Sequence, residues 1–229
     1  MGANFRSLRS PGRIESRVTF NVFYASSFGT YKEITSEQTV TSGQNFPVTF
    51  GVGFSSADEQ KKHFIFGSAY WAQASKGSVK GNSESATQEF SIPGEVGGNL
   101  YYQYYFKENS LGIYSGYDYE KLNTFNTDQL VSGASIVNID NQLHYATLGA
   151  TQGFSLFNLK MNIKASVSKT IASSTSGSKS LTGMKYIFFY TYKPEGRFNF
   201  NVFYKHHSLK GPTDLSIDRI GISVGFLML

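Results

Sequence analysis

Residues 197–229 read RFNFNVFYKHHSLKGPTDLSIDRIGISVGFLML, and their alternation decides the fold. Phe198, Phe200, Val202 and Tyr204 fall on one parity, with Asn199, Asn201 and Lys205 on the other. After a short polar link at 209–213, Ile220, Ile222, Val224, Phe226 and Met228 alternate with Arg219, Gly221, Ser223 and Gly225. Successive side chains of a strand point to opposite faces, so each segment has one apolar face and one small or polar face. The two segments predict a β-hairpin.

Composition extends that reading to the whole chain. Among 229 residues, 16% are charged and 16% aromatic, with 15 Tyr and 20 Phe. A soluble domain carries about a quarter charged residues. No apolar run approaches the roughly 20 residues of a membrane helix. Alternating strands hide from hydropathy windows, so a membrane barrel remains compatible with the sequence. There are no cysteines, which excludes disulfides and thiolate chemistry. No metal-ligand cluster and no nucleic-acid motif is visible, and no cofactor is expected. The N-terminal residues lack the apolar core of a secretory signal, so the sequence is expected to be that of a mature chain. The net charge of +5 suits contact with phosphorylated headgroups or simple solubility.

Residues 1–14, with Arg6, Arg9 and Arg13 beside Pro11 and Gly12, are expected to form a basic tail, and 15–229 the barrel. Strands are expected near 16–28, at 46–55 and at 63–75, the last apolar on both faces and without a clear orientation. From 86 to 106 the apolar parity persists through Pro93-Gly94, which predicts one long strand. Further strands are expected at 111–122, 143–157, 161–171 and 184–192. Long polar links at 31–44, 76–85, 123–141 and 173–181 alternate with tight ones at 58–62, 107–110, 158–159 and 194–196. Long loops at one end and short turns at the other are the habit of transmembrane barrels. The expectation is an all-β, antiparallel up-and-down transmembrane barrel of about ten strands, eight or twelve being the alternatives. A soluble sandwich is the rival fold.

Asp118, Glu120, Lys164, Lys185, Lys193, Asn199, Asn201, Lys205 and Arg219 fall on the enclosed face and are expected to pair with one another. Asp118 and Glu120 could position a water as the acids of omptin proteases do. Those sites need a histidine and matching acids on facing strands, and no such set is evident. A second group lies on the outer face: His206 and Ser208 share the parity of Tyr204, and Asp218 shares that of Ile220. A serine becomes a nucleophile when a base takes its proton and an acid orients that base. Three such residues facing lipid suit a lipid ester as substrate.

His206-His207-Ser208, followed by Lys210, Pro212, Asp214 and Asp218 before a last Gly-Ile-Ser-Val-Gly-Phe strand, resembles the lipid A 3-O-deacylases of the PagL type. The likeness covers about the last 30 residues. That family is an eight-stranded outer-membrane barrel that removes an ester-linked acyl chain from lipopolysaccharide. The resemblance implies Ser208 as nucleophile, His206 as general base and Asp218 as orienting acid. The chain departs from the pattern in having Leu209 where the family has Asn, a shorter link, and Asp in place of Glu. The expected partners are membrane lipid, lipopolysaccharide and the barrel-assembly machinery, for a monomer in the bacterial outer membrane. The alternative is a non-catalytic barrel: a narrow pore, a loop display or a structural membrane protein.

Overall fold

The computed structural model describes residues 17–34, 39–80, 87–106, 110–125, 137–156, 159–177, 179–193 and 197–228. The expected N-terminal tail lies outside the described residues. Among the described residues twelve strands form one antiparallel sheet: β1 Arg17–Ile34, β2 Thr39–Ala57, β3 His63–Ala72, β4 Ser75–Lys80, β5 Thr87–Ile92, β6 Glu95–Tyr105, β7 Leu111–Phe125, β8 Asn138–Leu156, β9 Leu159–Thr175, β10 Thr182–Lys193, β11 Phe198–Lys210 and β12 Asp214–Met228. β1 pairs with β12 from Phe20↔Met228 to Ile34↔Asp214, and with β2 from Arg17↔Ala57 to Ile34↔Thr39. The sheet therefore closes on itself. Ten strands make the wall, with β3 pairing directly to β6, and the β4–β5 hairpin leaves the wall to pair with β2 at Ser42–Gln44. Closure removes the free edges that a sandwich would leave.

The single strand expected over 86–106 is two. Pro93 has no N–H for a ladder, and a Cβ on Gly94 would come within 2.8 Å of the Ala72 carbonyl oxygen, so the chain bends there. The bend inverts the facing: Phe90 and Ile92 are buried, whereas Leu100 and Tyr102 lie exposed on the outer face. Persistent parity in the sequence concealed a change of side. The strands also run beyond the expected ends, to Ile34, Phe125 and Thr175, so much of the expected long links is strand.

These added lengths have opposite polarity to the rest. Take the end holding Arg17 and Met228 as the lower end. Over the lower part the outer face is apolar, with Phe20, Val22, Tyr24 and Phe28 on β1, Phe50 and Val52 on β2, and Phe198, Phe200 and Val202 on β11, all exposed. Above Phe28, Tyr204 and Ile220 the outer face turns to Thr30, Lys32, Ser208, Lys210, Asp214 and Ser216. Inside the same upper part sits an apolar core of Tyr31, Phe46, Phe90, Ile92, Leu122, Phe125, Leu143, Leu209, Leu215 and Ile217. Each such burial contributes about 1.5–3 kcal/mol in water. The upper part is built as a water-soluble barrel, the lower part inside out.

Below the apolar core the lumen is filled first by ions, then by rings. Phe66 packs against Tyr101 with the rings tilted by 47°, and Lys164 Nζ lies 4.2 Å from the Phe66 ring centre. This explains why β3 looks apolar on both faces: Ile65 and Trp71 point out, while Phe66 packs in the lumen. The wall tolerates rings of this size because glycines face them. At Gly116 a Cβ would overlap the Leu100 carbonyl oxygen and press on Tyr101. At the lower turn, Asp58 Oδ1 accepts the backbone N–H groups of Lys62 (2.8 Å) and His63 (3.0 Å). The bonds to the backbone near His63, foremost, hold its carboxyl below the ordinary carboxylate range.

Candidate functional site on the outer face

Residues His206, Ser208 and Asp218 all project from the outer face, where the apolar band gives way to polar residues. Antiparallel register sets His206 directly opposite Asp218, and Ser208 opposite Ser216. Facing residues on adjacent strands bring their side chains into contact. His206 Nδ1 meets Asp218 Oδ1 at 2.8 Å, and the Tyr204 hydroxyl donates to the same oxygen. The Tyr186 ring lies 5.9 Å from the imidazole, centre to centre. His206 is half-buried and Ser208 exposed. With Nδ1 turned to the carboxylate, Nε2 is left as the nitrogen able to take a proton. Among the described residues no hydrogen bond joins Ser208 to His206. Two of the three residues singled out by the sequence thus form a contact, and the third shares their face two residues along β11.

Sequence reasoning missed the contribution of Tyr204 to Asp218. The signal was present: Tyr204 has the parity of His206 and precedes it by two. Two further outer-face histidines have tyrosine partners without any serine. His63 Nδ1 lies 2.6 Å from the Tyr102 hydroxyl, and His144 Nδ1 contacts the Tyr117 hydroxyl.

The lumen holds the second concentration of charge. Glu120 on β7 meets Lys185 at 3.3 Å, Lys205 at 3.1 Å and His207 Nε2 at 2.8 Å. Lys185 also reaches Asp118 at 3.1 Å, and Asp118 accepts hydrogen bonds from the hydroxyls of Tyr101 and Thr147. Arg219 on β12 grips Glu95 on β6 through both terminal nitrogens, at 2.7 and 3.2 Å, and lies 4.1 Å from the Phe46 ring centre. The expected pairing is present for Asp118, Glu120, Lys185, Lys205 and Arg219, with Glu95 and His207 as members the sequence reading left out, whereas Lys164 lies over the Phe66 ring and no ion pair reaches it or Lys193 among the described residues. A histidine does face the acids Asp118 and Glu120 across the barrel, against the expectation from sequence. His207 is only 1% exposed, and Leu143 and Leu209 are buried with it, so the set is enclosed rather than open to substrate.

Among the described residues no cluster of three or more His, Cys, Asp or Glu could hold a metal ion. No protein-family model matches the chain, and no curated protein sequence matches it. Solved structures do. The outer membrane protease OmpT from Escherichia coli is 7% identical, covers 97% of this chain and 99% of its own, and superposes with a TM-score of 0.47. The β-domain of the Bordetella autotransporter BrkA is 7% identical over 91% of this chain and 98% of its own, with a TM-score of 0.44. The attachment invasion locus protein Ail of Yersinia pestis is 13% identical over 94% of this chain and all of its own, with a TM-score of 0.34. At such scores the closed ten-stranded wall stands on its own strand register rather than on these likenesses.

Proposed function

We propose that this chain is an integral barrel of the bacterial outer membrane that hydrolyses an ester-linked acyl chain of lipid A on its outer face. The observation that carries the reading is the 2.8 Å contact of His206 with Asp218 at the polarity boundary, with Ser208 next on the same face. An apolar belt flanked by polar residues matches hydrocarbon flanked by headgroups. Ser208 would then stand where the acyl esters of a glycolipid lie. His206 Nε2 removes the Ser208 hydroxyl proton as the oxygen attacks the ester carbonyl. Asp218 steadies the imidazolium that results, and His206 returns the proton to the departing sugar oxygen. Water then releases the fatty acid from the serine by the same route.

The test is mass spectrometry of lipid A incubated with the purified barrel in detergent. Wild type is expected to remove one acyl chain, and Ser208→Ala or His206→Ala to slow this by at least about a thousandfold, with heat-modifiable migration unchanged. Lipid A left intact by wild type would sink the hydrolase reading.

A second reading has its own support. Tyr204, His206 and Asp218 satisfy one another, and similar Tyr–His pairs recur at His63 and His144. On that reading they are polar anchors on the outer face of a structural or loop-displaying barrel, His63 at the lower rim and His144 and His206 in the upper part, and Ser208→Ala changes nothing. The packed lumen speaks against the pore version of it. Planar bilayers holding the protein are expected to stay electrically silent, and discrete current steps would refute the sealed lumen.

A further inference from the structure

Lys169 occupies an unusual place. It stands on the outer face of β9 between Val167 and Ile171, which are 36% and 61% exposed. Its neighbours across the sheet are Met184 on β10 and Ala146 on β8. None of the four carries charge. Among the described residues no ion pair reaches Lys169, whereas Lys121, also on the outer face, has Asp140 at 2.9 Å. An ammonium facing hydrocarbon is costly, and such residues mark functional positions whose partner has to be found. Nothing charged beside Lys169 on the sheet supplies that partner. The long stem lets the ammonium rise from the apolar belt to the headgroup level. The abundant anion at that level is a lipid phosphate. The register adds a location: Lys169 pairs with Met184, and Met184 with Ser208, so Lys169 stands two strands, roughly 10 Å, from Ser208.

We propose that Lys169 binds the phosphate of a membrane-lipid headgroup held against the outer face, and that it selects phosphorylated lipid for the Ser208 site. The binding half rests on membrane residence, and the selecting half also on the hydrolase reading. Val167, two residues below Lys169 on β9, borders the acyl chains beneath the phosphate, and Met184 spans the gap to Ser208.

The experiment uses the full chain in nanodiscs containing bisphosphorylated lipid A, its dephosphorylated form or phosphatidylglycerol, with native mass spectrometry of the lipid retained on extraction. Deacylation is followed in parallel. Wild type is expected to retain phosphorylated lipid A roughly tenfold over the dephosphorylated form, the worth of one charge-assisted hydrogen bond. Lys169→Gln loses that preference and Lys169→Arg keeps it, both with unchanged heat-modifiable migration. Phosphatidylglycerol retained as well as lipid A, and lost in Lys169→Gln, assigns the phosphate to a glycerophospholipid and supports the binding half. Where lipid A is cleaved, Lys169→Gln is expected to raise KM for the phosphorylated form roughly tenfold with kcat held. Lysine-dependent retention without any cleavage overturns the hydrolase reading and leaves the phosphate site standing. Equal retention by wild type and Lys169→Gln overturns the phosphate site, whatever the activity.

Discussion

Glu120→Ala is expected to destabilise the barrel by about 3–5 kcal/mol, the usual cost of removing one member of a buried ion group. Glu120 is the acceptor for Lys185, Lys205 and His207 together. Without it Lys185 keeps Asp118 at 3.1 Å. Lys205 has no other carboxylate among its ion pairs within the described residues, and its ammonium would be stranded in the lumen. The pair Glu120→Ala with Lys205→Met is therefore expected to be more stable than Glu120→Ala alone. Urea unfolding in lipid vesicles of wild type, Glu120→Ala, Lys205→Met and the double variant, followed by the fluorescence of Trp71, gives the four free energies of a double-mutant cycle. A single change costing under about 1 kcal/mol, the range of exposed pairs, would show that water reaches these groups and that the lumen is not sealed.

Ile222→Arg is expected to cost about 2–4 kcal/mol in a bilayer, as a cation near the middle of a lipid-facing strand does. Ile222 is 61% exposed on the outer face and is flanked by Ile220 and Val224 on its own strand. The control is Ser216→Arg, on the same face of the same strand but above the polarity boundary, where a cation is expected to be nearly neutral. In a water-soluble body both sites would accept arginine equally. Equal stability of the two variants in vesicles would thus remove membrane residence, and with it the ester-hydrolysing site.

Much of the lower barrel was legible because its rule is simple. Phe198, Phe200 and Val202 against Asn199 and Asn201 announce a strand and its outer face at once. The same parity placed His206, Ser208 and Asp218 together on one face. What alternation could not report is a change of environment along a strand. On β12 the outward residues run from Val224 and Ile222 to Ser216 and Asp214, while the inward ones run from Ser223 and Arg219 to Ile217 and Leu215. Read as one pattern, such a strand fades into apparent loop, which is why the upper lengths near Ile34, Phe125 and Thr175 look like links in the sequence. The bend at Pro93-Gly94 was lost for a related reason, since Phe90 and Leu100 share parity but face opposite ways. Contacts across the lumen, such as Glu120 with His207, join residues 87 positions apart. Parity admits them, but only closure of the sheet chooses the partners.

The reversal of polarity part-way up the wall gives the molecule a waterline. In a bilayer the upper collar cannot sink, because Lys32, Asp214 and Ser216 would have to shed their hydration. Any mismatch with membrane thickness is then absorbed at the opposite rim, around Phe198 and Met228, where thinning or tilt costs fractions of a kcal/mol per ångström. Depth is thereby fixed from above, and a group mounted at the waterline meets the same stratum of lipid in thick and thin membranes alike.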